Sequence, residues 1–170
     1  MFKRFYPGSY MDSTYDISFE ALKNQGICGV LFDVDNTLVP HDAPADERAK
    51  TLFRHLREIG METCLLSNNK EPRVKRFAEE VGTRYIYKSG KPSRKGYWKA
   101  MERMGTDCRS TVFVGDQLFT DIWGANRTGM KSILVKPINP KEEIQIVLKR
   151  VPEKIVLWFY RRRYDRTGSR

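Results

Sequence analysis

Two apolar runs in this chain end in acids. In GVLFDVDNTLVP, residues 29–40, Asp33 and Asp35 close the run with one residue between them, and Asn36 and Thr37 then favour a turn. In TVFVGDQLFTD, Asp116 follows Gly115, and Asp121 stands five residues further on. Carboxylates gathered in one place repel unless a cation or a shared proton compensates, and hard oxygen donors with room for water suit Mg²⁺. LLSNN supplies Ser67, a hydroxyl at the entry to a helix, with nearby main-chain N–H groups that make a ready oxyanion site. KSGKPSRKG places Lys91 between Gly90 and Pro92 as a charge clamp; Lys95 is the weaker rival because it falls inside the following helix. A carboxylate nucleophile, a second carboxylate for proton transfer, a metal site and a cationic clamp are the parts of phosphoryl transfer. Taken singly, the aspartate pair reads equally well as a turn and helix cap, while Ser67 reads better as a cap and Lys91 as a solvated loop lysine. Their joint occurrence favours chemistry.

The intervening pattern places these residues at strand ends. Short apolar runs alternate with amphipathic stretches, beginning with a strand in GICGVLF. ADERAKTLFRHLREIG reads as a helix with Ala49, Leu52, Phe53, Leu56 and Ile59 on one face. METCLLS is a second strand, EPRVKRFAEEVG a helix burying Val74, Phe77, Ala78 and Val81, and TRYIYK a short third strand. SRKGYWKAMERMG follows as a helix capped by Ser93 and stopped by Gly105. STVFVGD, the short helix TDIWGANRTG and KSILVK complete the series. Strands alternating with helices predict an α/β fold, a parallel five-stranded sheet covered on both faces. In such sheets ligands bind beyond the carboxyl ends of the strands, which explains why acids end the first and fourth.

DVDNT, LLSNN, GKP and GDQLFTD, in that order, resemble the four motifs of the haloacid dehalogenase-like (HAD) superfamily over residues 27–136. The nearer likeness is to the small cap-less phosphatases of the YqeG type, subclass III, which are related to phosphatidylglycerophosphate phosphatases. The resemblance implies a three-layer Rossmannoid fold with strand order five-four-one-two-three, the first strand beside the fourth. It implies Asp33 as the nucleophile that forms an aspartyl-phosphate, and Asp35 as the acid and then base. It implies Mg²⁺ held by Asp33, the main-chain carbonyl of Asp35 and Asp116. Ser67, Asn68 and Lys91 would hold the phosphoryl oxygens, and Asp121 would support the metal or orient Lys91. The second aspartate, Asp35, favours phosphate-ester hydrolysis, because an alkoxide leaving group needs a proton.

The spacing leaves no room for a cap domain: Asp33 to Ser67 holds a loop, a helix and a strand, and Ser67 to Lys91 a helix and a strand. An open site suits a large or anchored phosphate ester, with a phosphatidylglycerophosphate-type lipid as the leading substrate. The net charge of +10 is concentrated at one end: residues 131–170 carry 11 Lys and Arg against 4 acids. Residues 1–26 form an N-terminal extension and 137–170 a basic amphipathic segment. In the latter, Ile155–Tyr160 precedes Arg161, Arg162 and Arg163, too short a run to span a bilayer but suited to an anionic membrane surface. The competing reading is a terminal helix packing Ile155, Leu157 and Phe159 on the domain. A third is binding of RNA or a ribosome through Trp158, Tyr160 and Tyr164, with the HAD site auxiliary. No secretory apolar core stands at the N-terminus, and Cys28, Cys64 and Cys108 show no disulfide or zinc spacing, so they are expected as small buried thiols. His41 and His55 are too isolated for a histidine metal site. These features predict a cytoplasmic enzyme, peripheral on the inner membrane face if the tail binds lipid.

Overall fold

The computed structural model describes residues 2–139 and 144–165. Six strands form one all-parallel sheet: β1 (Ser9–Met11), β2 (Gly29–Phe32), β3 (Glu62–Leu66), β4 (Arg84–Ile86), β5 (Thr111–Gly115) and β6 (Lys131–Val135). Their order is β1-β6-β5-β2-β3-β4. The expected neighbours are all present, but the expectation of five strands is corrected by β1, which pairs with β6 at the sheet edge. Three residues are too few to show alternation, so this strand forms because β6 offers it an edge. Gly8 starts the pairing: its N–H donates to the Ser132 carbonyl at 2.9 Å, and a Cβ there would lie 2.9 Å from that oxygen.

Helices cover both faces. Helix α1 (Phe19–Asn24), α2 (Glu47–Glu58) and α3 (Glu71–Val81) pack on one side, where Phe19, Phe53 and Phe77 meet Phe32 and its same-face neighbours. Helices α4 (Arg94–Met104) and α5 (Trp123–Arg127) pack on the other, where Tyr97, Ala100 and Ala125 meet Leu31, Cys64 and Phe113. Strand alternation sends Leu31 and Phe32 to opposite layers. The apolar face foreseen for α2 is observed with Asp46 as a true N-cap, its carboxylate accepting from Ala49 N–H at 2.8 Å; Ile59 is only half-buried. Gly82 and Gly105 end α3 and α4 in the left-handed conformation. Ser93 occupies the N-cap position of α4, but its side chain makes no capping bond there. Cys28 is exposed and Cys108 half-buried, so only Cys64 is the buried thiol expected of all three.

The final helix, α6 (Ile144–Asp165), adds a small third cluster at the β6 edge. Val156 is buried with Leu118, Ile122 and Leu134, and Phe5, Tyr6 and Leu157 pack against them. Tyr160 is also buried; of the three residues expected to pack, Leu157 does so, while Ile155 and Phe159 are exposed. Among the described residues no helix is long and apolar enough to cross a membrane.

Both ends of the chain brace the loop after β2. Thr14 Oγ1 donates to the Thr37 carbonyl at 2.8 Å and Tyr15 OH to the Leu38 carbonyl at 2.7 Å. From the other end, Ile138 N–H donates to the Asn36 carbonyl at 3.0 Å and Asn139 N–H to Asn36 Oδ1 at 3.2 Å. Asn36 itself takes a positive φ of 63°, which its short polar side chain tolerates. Thr14 is buried, so Thr14→Val keeps the shape and strands the Thr37 carbonyl; stability should fall by about 1–3 kcal/mol, read as a lower midpoint in urea denaturation with an unchanged slope.

Candidate active site

The register brings the chemistry-bearing residues to one end of the sheet. Phe32 pairs with Val114 on one side and Leu65 on the other, and Asp33 N–H extends the ladder to the Val114 carbonyl at 2.9 Å. Asp33 and Asp116 therefore leave adjacent strands together, with Ser67 one strand further on, its N–H bonded to the Ile86 carbonyl at 3.0 Å. Asp33, Asp35, Ser67, Asn68 and Lys91 line an open cavity of about 300 Å³, together with Asn36, His41, Asn69, Gln117 and Thr120. His41, set aside in the sequence as isolated, thus reaches this cavity. The chain between Asp33 and Lys91 runs through α2, β3, α3 and β4 without an inserted domain.

Lys91 is the centre of the site. Its Nζ donates to Asp33 Oδ1 and Asp121 Oδ1, each at 2.7 Å, and all three side chains are almost wholly buried. Burial alone would lower the Lys91 pKa, but the Asp121 and Asp33 carboxylates outweigh it and keep the ammonium charged. Burial pushes the Asp33 carboxyl up to about 7; Lys91 opposes that shift, and the Asp121 charge adds to it. Asp121 is brought in by a π-helical turn, Leu118–Ile122, and its Oδ2 accepts from Gln117 N–H at 3.1 Å. Tyr97 OH donates to the Asp121 carbonyl at 2.9 Å. Gly115 is required here, because a Cβ would run into the Asp121 carboxylate.

A carboxylate oxygen from each of Asp33, Asp116 and Asp121 lies within 4.8 Å of the others. These three carboxylates share a buried, largely oxygen-lined pocket with the Lys91 ammonium. That donor set fits a hard divalent cation such as Mg²⁺. Thr37 Oγ1 donates to Asp116 Oδ1 at 3.1 Å, which orients this acid as an outer partner orients a metal ligand. The Asp35 carboxylate stands apart from this group. It accepts from Arg73 Nη2 at 2.9 Å, Asp42 N–H at 2.9 Å and Asn69 Nδ2 at 3.3 Å. Burial works to raise the Asp35 carboxyl, but the Arg73 hydrogen bond and charge, with the other two donors, hold it below its ordinary value.

The loop after β3 has divided duties. Ser67 Oγ accepts from Asn69 N–H at 3.1 Å. The Asn68 side chain braces the Lys91 loop: its Oδ1 accepts from Lys91 N–H at 2.8 Å and Ser89 Oγ at 2.9 Å, and its Nδ2 donates to the Lys91 carbonyl at 3.1 Å. Arg73, Asn69 and Tyr97 were not singled out in the sequence, and Thr37 only as a turn residue. Arg73 had one usable signal: it lies in the first turn of the helix that follows LLSNN, where a long cation can reach back over the strand ends.

The raised Asp33 pKa has a testable sign. The folded metal-free protein binds a proton at Asp33 that the unfolded chain releases above pH ~4, so stability is lost as pH rises from about 4 to about 7. Asp33→Asn removes that loss. In chelator the variant should unfold at a higher temperature than the parent at pH 8, with the gain shrinking toward pH 4; a scan at both pH values checks it.

Comparison with known proteins agrees with this geometry. A HAD-hydrolase-like family model matches residues 88–143, the part that contains Lys91, Asp116 and Asp121. The chain is 36% identical over 159 residues to the probable phosphatase YqeG of Bacillus subtilis (strain 168), covering 92% of each. It is 30% identical over 141 residues to phosphatidylglycerophosphate phosphatase 1, chloroplastic/mitochondrial, of Arabidopsis thaliana, over 77% of this chain and 40% of that one. Among solved structures, an uncharacterized protein from Listeria monocytogenes serotype 4b superposes with a TM-score of 0.54 at 18% identity, over 77% of this chain and 98% of the other, which supports the fold. The acid-ended parallel strands, the lysine clamp and this kinship together place the chain in the haloacid dehalogenase-like superfamily, as a phosphatase of the YqeG type.

Proposed function

We propose that the protein hydrolyses a phosphate monoester through a covalent phosphoryl-Asp33 intermediate, with Mg²⁺ as cofactor. The observation that carries this reading is the buried Asp33–Lys91–Asp121 ion pairing, with Asp116 within reach, at the carboxyl end of the sheet. A carboxylate oxygen of Asp33 attacks phosphorus and the ester P–O bond breaks. Asp35 donates a proton to the departing oxygen, then takes one from the water that attacks the acyl phosphate. Inorganic phosphate leaves and the Asp33 carboxylate is restored. Lys91 and the Ser67 hydroxyl hold phosphoryl oxygens. Asn68 contributes its main-chain N–H, since its side chain is committed to the Lys91 loop. Asp33, the main-chain carbonyl of Asp35 and Asp116 would hold Mg²⁺, which would supply charge neutralisation to the phosphoryl group. Asp121 supports both by anchoring Lys91.

Arg73 bears on the Asp35 step. While paired to Arg73, Asp35 is ionised and suited to the base step. An arriving phosphate dianion competes for the Arg73 guanidinium and, as a like charge beside Asp35, favours its protonated form for the acid step.

The substrate we favour is a phosphatidylglycerophosphate-type lipid monoester. Three facts support it: no domain is inserted between Asp33 and Lys91 to enclose a small metabolite, the Arabidopsis relative is a phosphatidylglycerophosphate phosphatase, and the tail is basic and aromatic. A cytoplasmic enzyme reaching lipid at the inner membrane face follows from the same reading.

In a phosphatase assay on a soluble ester and on phosphatidylglycerophosphate in vesicles, Asp33→Asn should lower turnover of both by ~10⁴-fold or more while the fold persists. Chelation should abolish activity of the parent and added Mg²⁺ restore it. Asp116→Asn should raise the Mg²⁺ concentration needed for half-maximal rate more than Ser67→Ala does. Full turnover in excess chelator, or by folded Asp33→Asn, contradicts the mechanism.

A further inference from the structure

A second concavity, about 470 Å³, lies where α6 crosses the edge of the sheet. Its walls are largely apolar: Leu134 and Val135 of β6, Leu118 before α5, and Leu157 and Trp158 of α6, with Tyr10 of β1 at the edge. Asp116 also lines it, so the groove and the carboxylate cluster share a residue. Pro137, Glu153 and the cations Lys154 and Arg161 complete the lining, and the Arg161 guanidinium carbon lies 5.5 Å from the Tyr10 ring centre. Helix α6 is tied to the active-site turn, since Leu118 N–H donates to Glu153 Oε1 at 3.1 Å.

The outer side of α6 continues this surface. Val151, Ile155, Trp158 and Phe159 follow the i, i+4, i+7, i+8 spacing of one helical stripe, and each is between 43% and 58% exposed. Arg161, Arg162 and Arg163 follow on the same helix and are exposed, with the Arg162 guanidinium 4.0 Å from the Trp158 ring centre. An exposed apolar stripe edged with cations matches an anionic lipid surface in both apolar and charged character. Trp158 belongs to both the stripe and the groove, so the two are contiguous.

We propose that the groove between α6 and the β1–β6 edge is the subsite for the hydrocarbon part of a membrane lipid phosphate, entered from an anionic bilayer on which the outer stripe of α6 rests. This rests on the lipid-phosphatase reading above and gives it a location. The phosphate end meets Asp33 and Lys91, the apolar end lies along Leu157 and Trp158, and Lys154 and Arg161 meet negative charge between them.

The test separates the groove from the chemistry. Binding of decylphosphonate and of methylphosphonate, below the micelle concentration and with Mg²⁺ present, is measured by calorimetry on the full chain. The parent should bind the decyl compound at least ~10-fold more tightly, the effect of burying about two methylene groups. Leu157→Arg should reduce the preference to under about twofold and leave methylphosphonate affinity and p-nitrophenyl phosphate turnover unchanged. Trp158→Glu, at an already exposed position, should do the same and serves if Leu157→Arg fails to fold. Equal binding of the two phosphonates by the parent, or a preference that survives in both variants, overturns the proposal. So does RNA, rather than anionic vesicles, displacing decylphosphonate. Hydrolysis of phosphatidylglycerophosphate by parent and Leu157→Arg at equal rates refutes the groove and keeps the lipid substrate. A parent that shows the groove-dependent preference in binding but hydrolyses no lipid phosphate supports the groove and refutes that substrate.

Discussion

The site is organised by one buried charge. Lys91 cannot be withdrawn from water without partners, and it finds two, Asp33 from the end of β2 and Asp121 from the turn after β5. Asp116 stands close to the same two acids, so three carboxylates gather at one end of the sheet. In the proposed mechanism this cluster would take a divalent cation, and Lys91, kept charged by its two carboxylate partners, would meet the phosphoryl oxygens. Much of the nearby architecture serves this arrangement. Asn68 clamps the Lys91 backbone from both sides, Gly115 leaves space for the Asp121 carboxylate, and Tyr97 holds the Asp121 carbonyl.

A second constraint is the loop that carries Asp35. A turn just beyond a strand end has few neighbours of its own, and here its carbonyls are secured by distant parts of the chain. Thr14 and Tyr15 reach it from the N-terminal segment, and Ile138 and Asn139 from beyond β6. The segments outside the motif-bearing unit thus form part of its support. Thr37 links the bracing to the chemistry, since its carbonyl accepts from Thr14 while its hydroxyl orients Asp116.

Helix α6 extends the same logic outward. It buries Val156 and Tyr160 against the sheet edge, presents a basic and aromatic face to solvent, and contacts the active-site turn through Glu153. An uncapped phosphatase needs another source of substrate selectivity, and the proposed groove, which shares Asp116 with the acid cluster, would provide it.

The sequence by itself determined the chemistry-bearing residue types, their order and their strand-end positions. These are local properties: an apolar run stopping at Asp33 or Asp116 is visible in a few neighbouring residues, as is the 3.6-residue periodicity that marked α2 and α3. The parallel sheet followed from alternation of such elements, and the order of strands β2 to β6 from family likeness. Tertiary structure alone decided what depends on distant partners. Strand β1 has three residues and no pattern, and exists because β6 offers it an edge. The Arg73–Asp35 pair and the Asn68 clamp join residues 38 and 23 positions apart, a separation that no local pattern encodes. The face of α6 was equally hidden, since Ile155–Tyr160 is apolar throughout and has no polar position to mark an outside. Packing against Leu134 and Leu118, and the anchor at Glu153, chose Val156 and Tyr160 for the interior and left Ile155 and Phe159 in water.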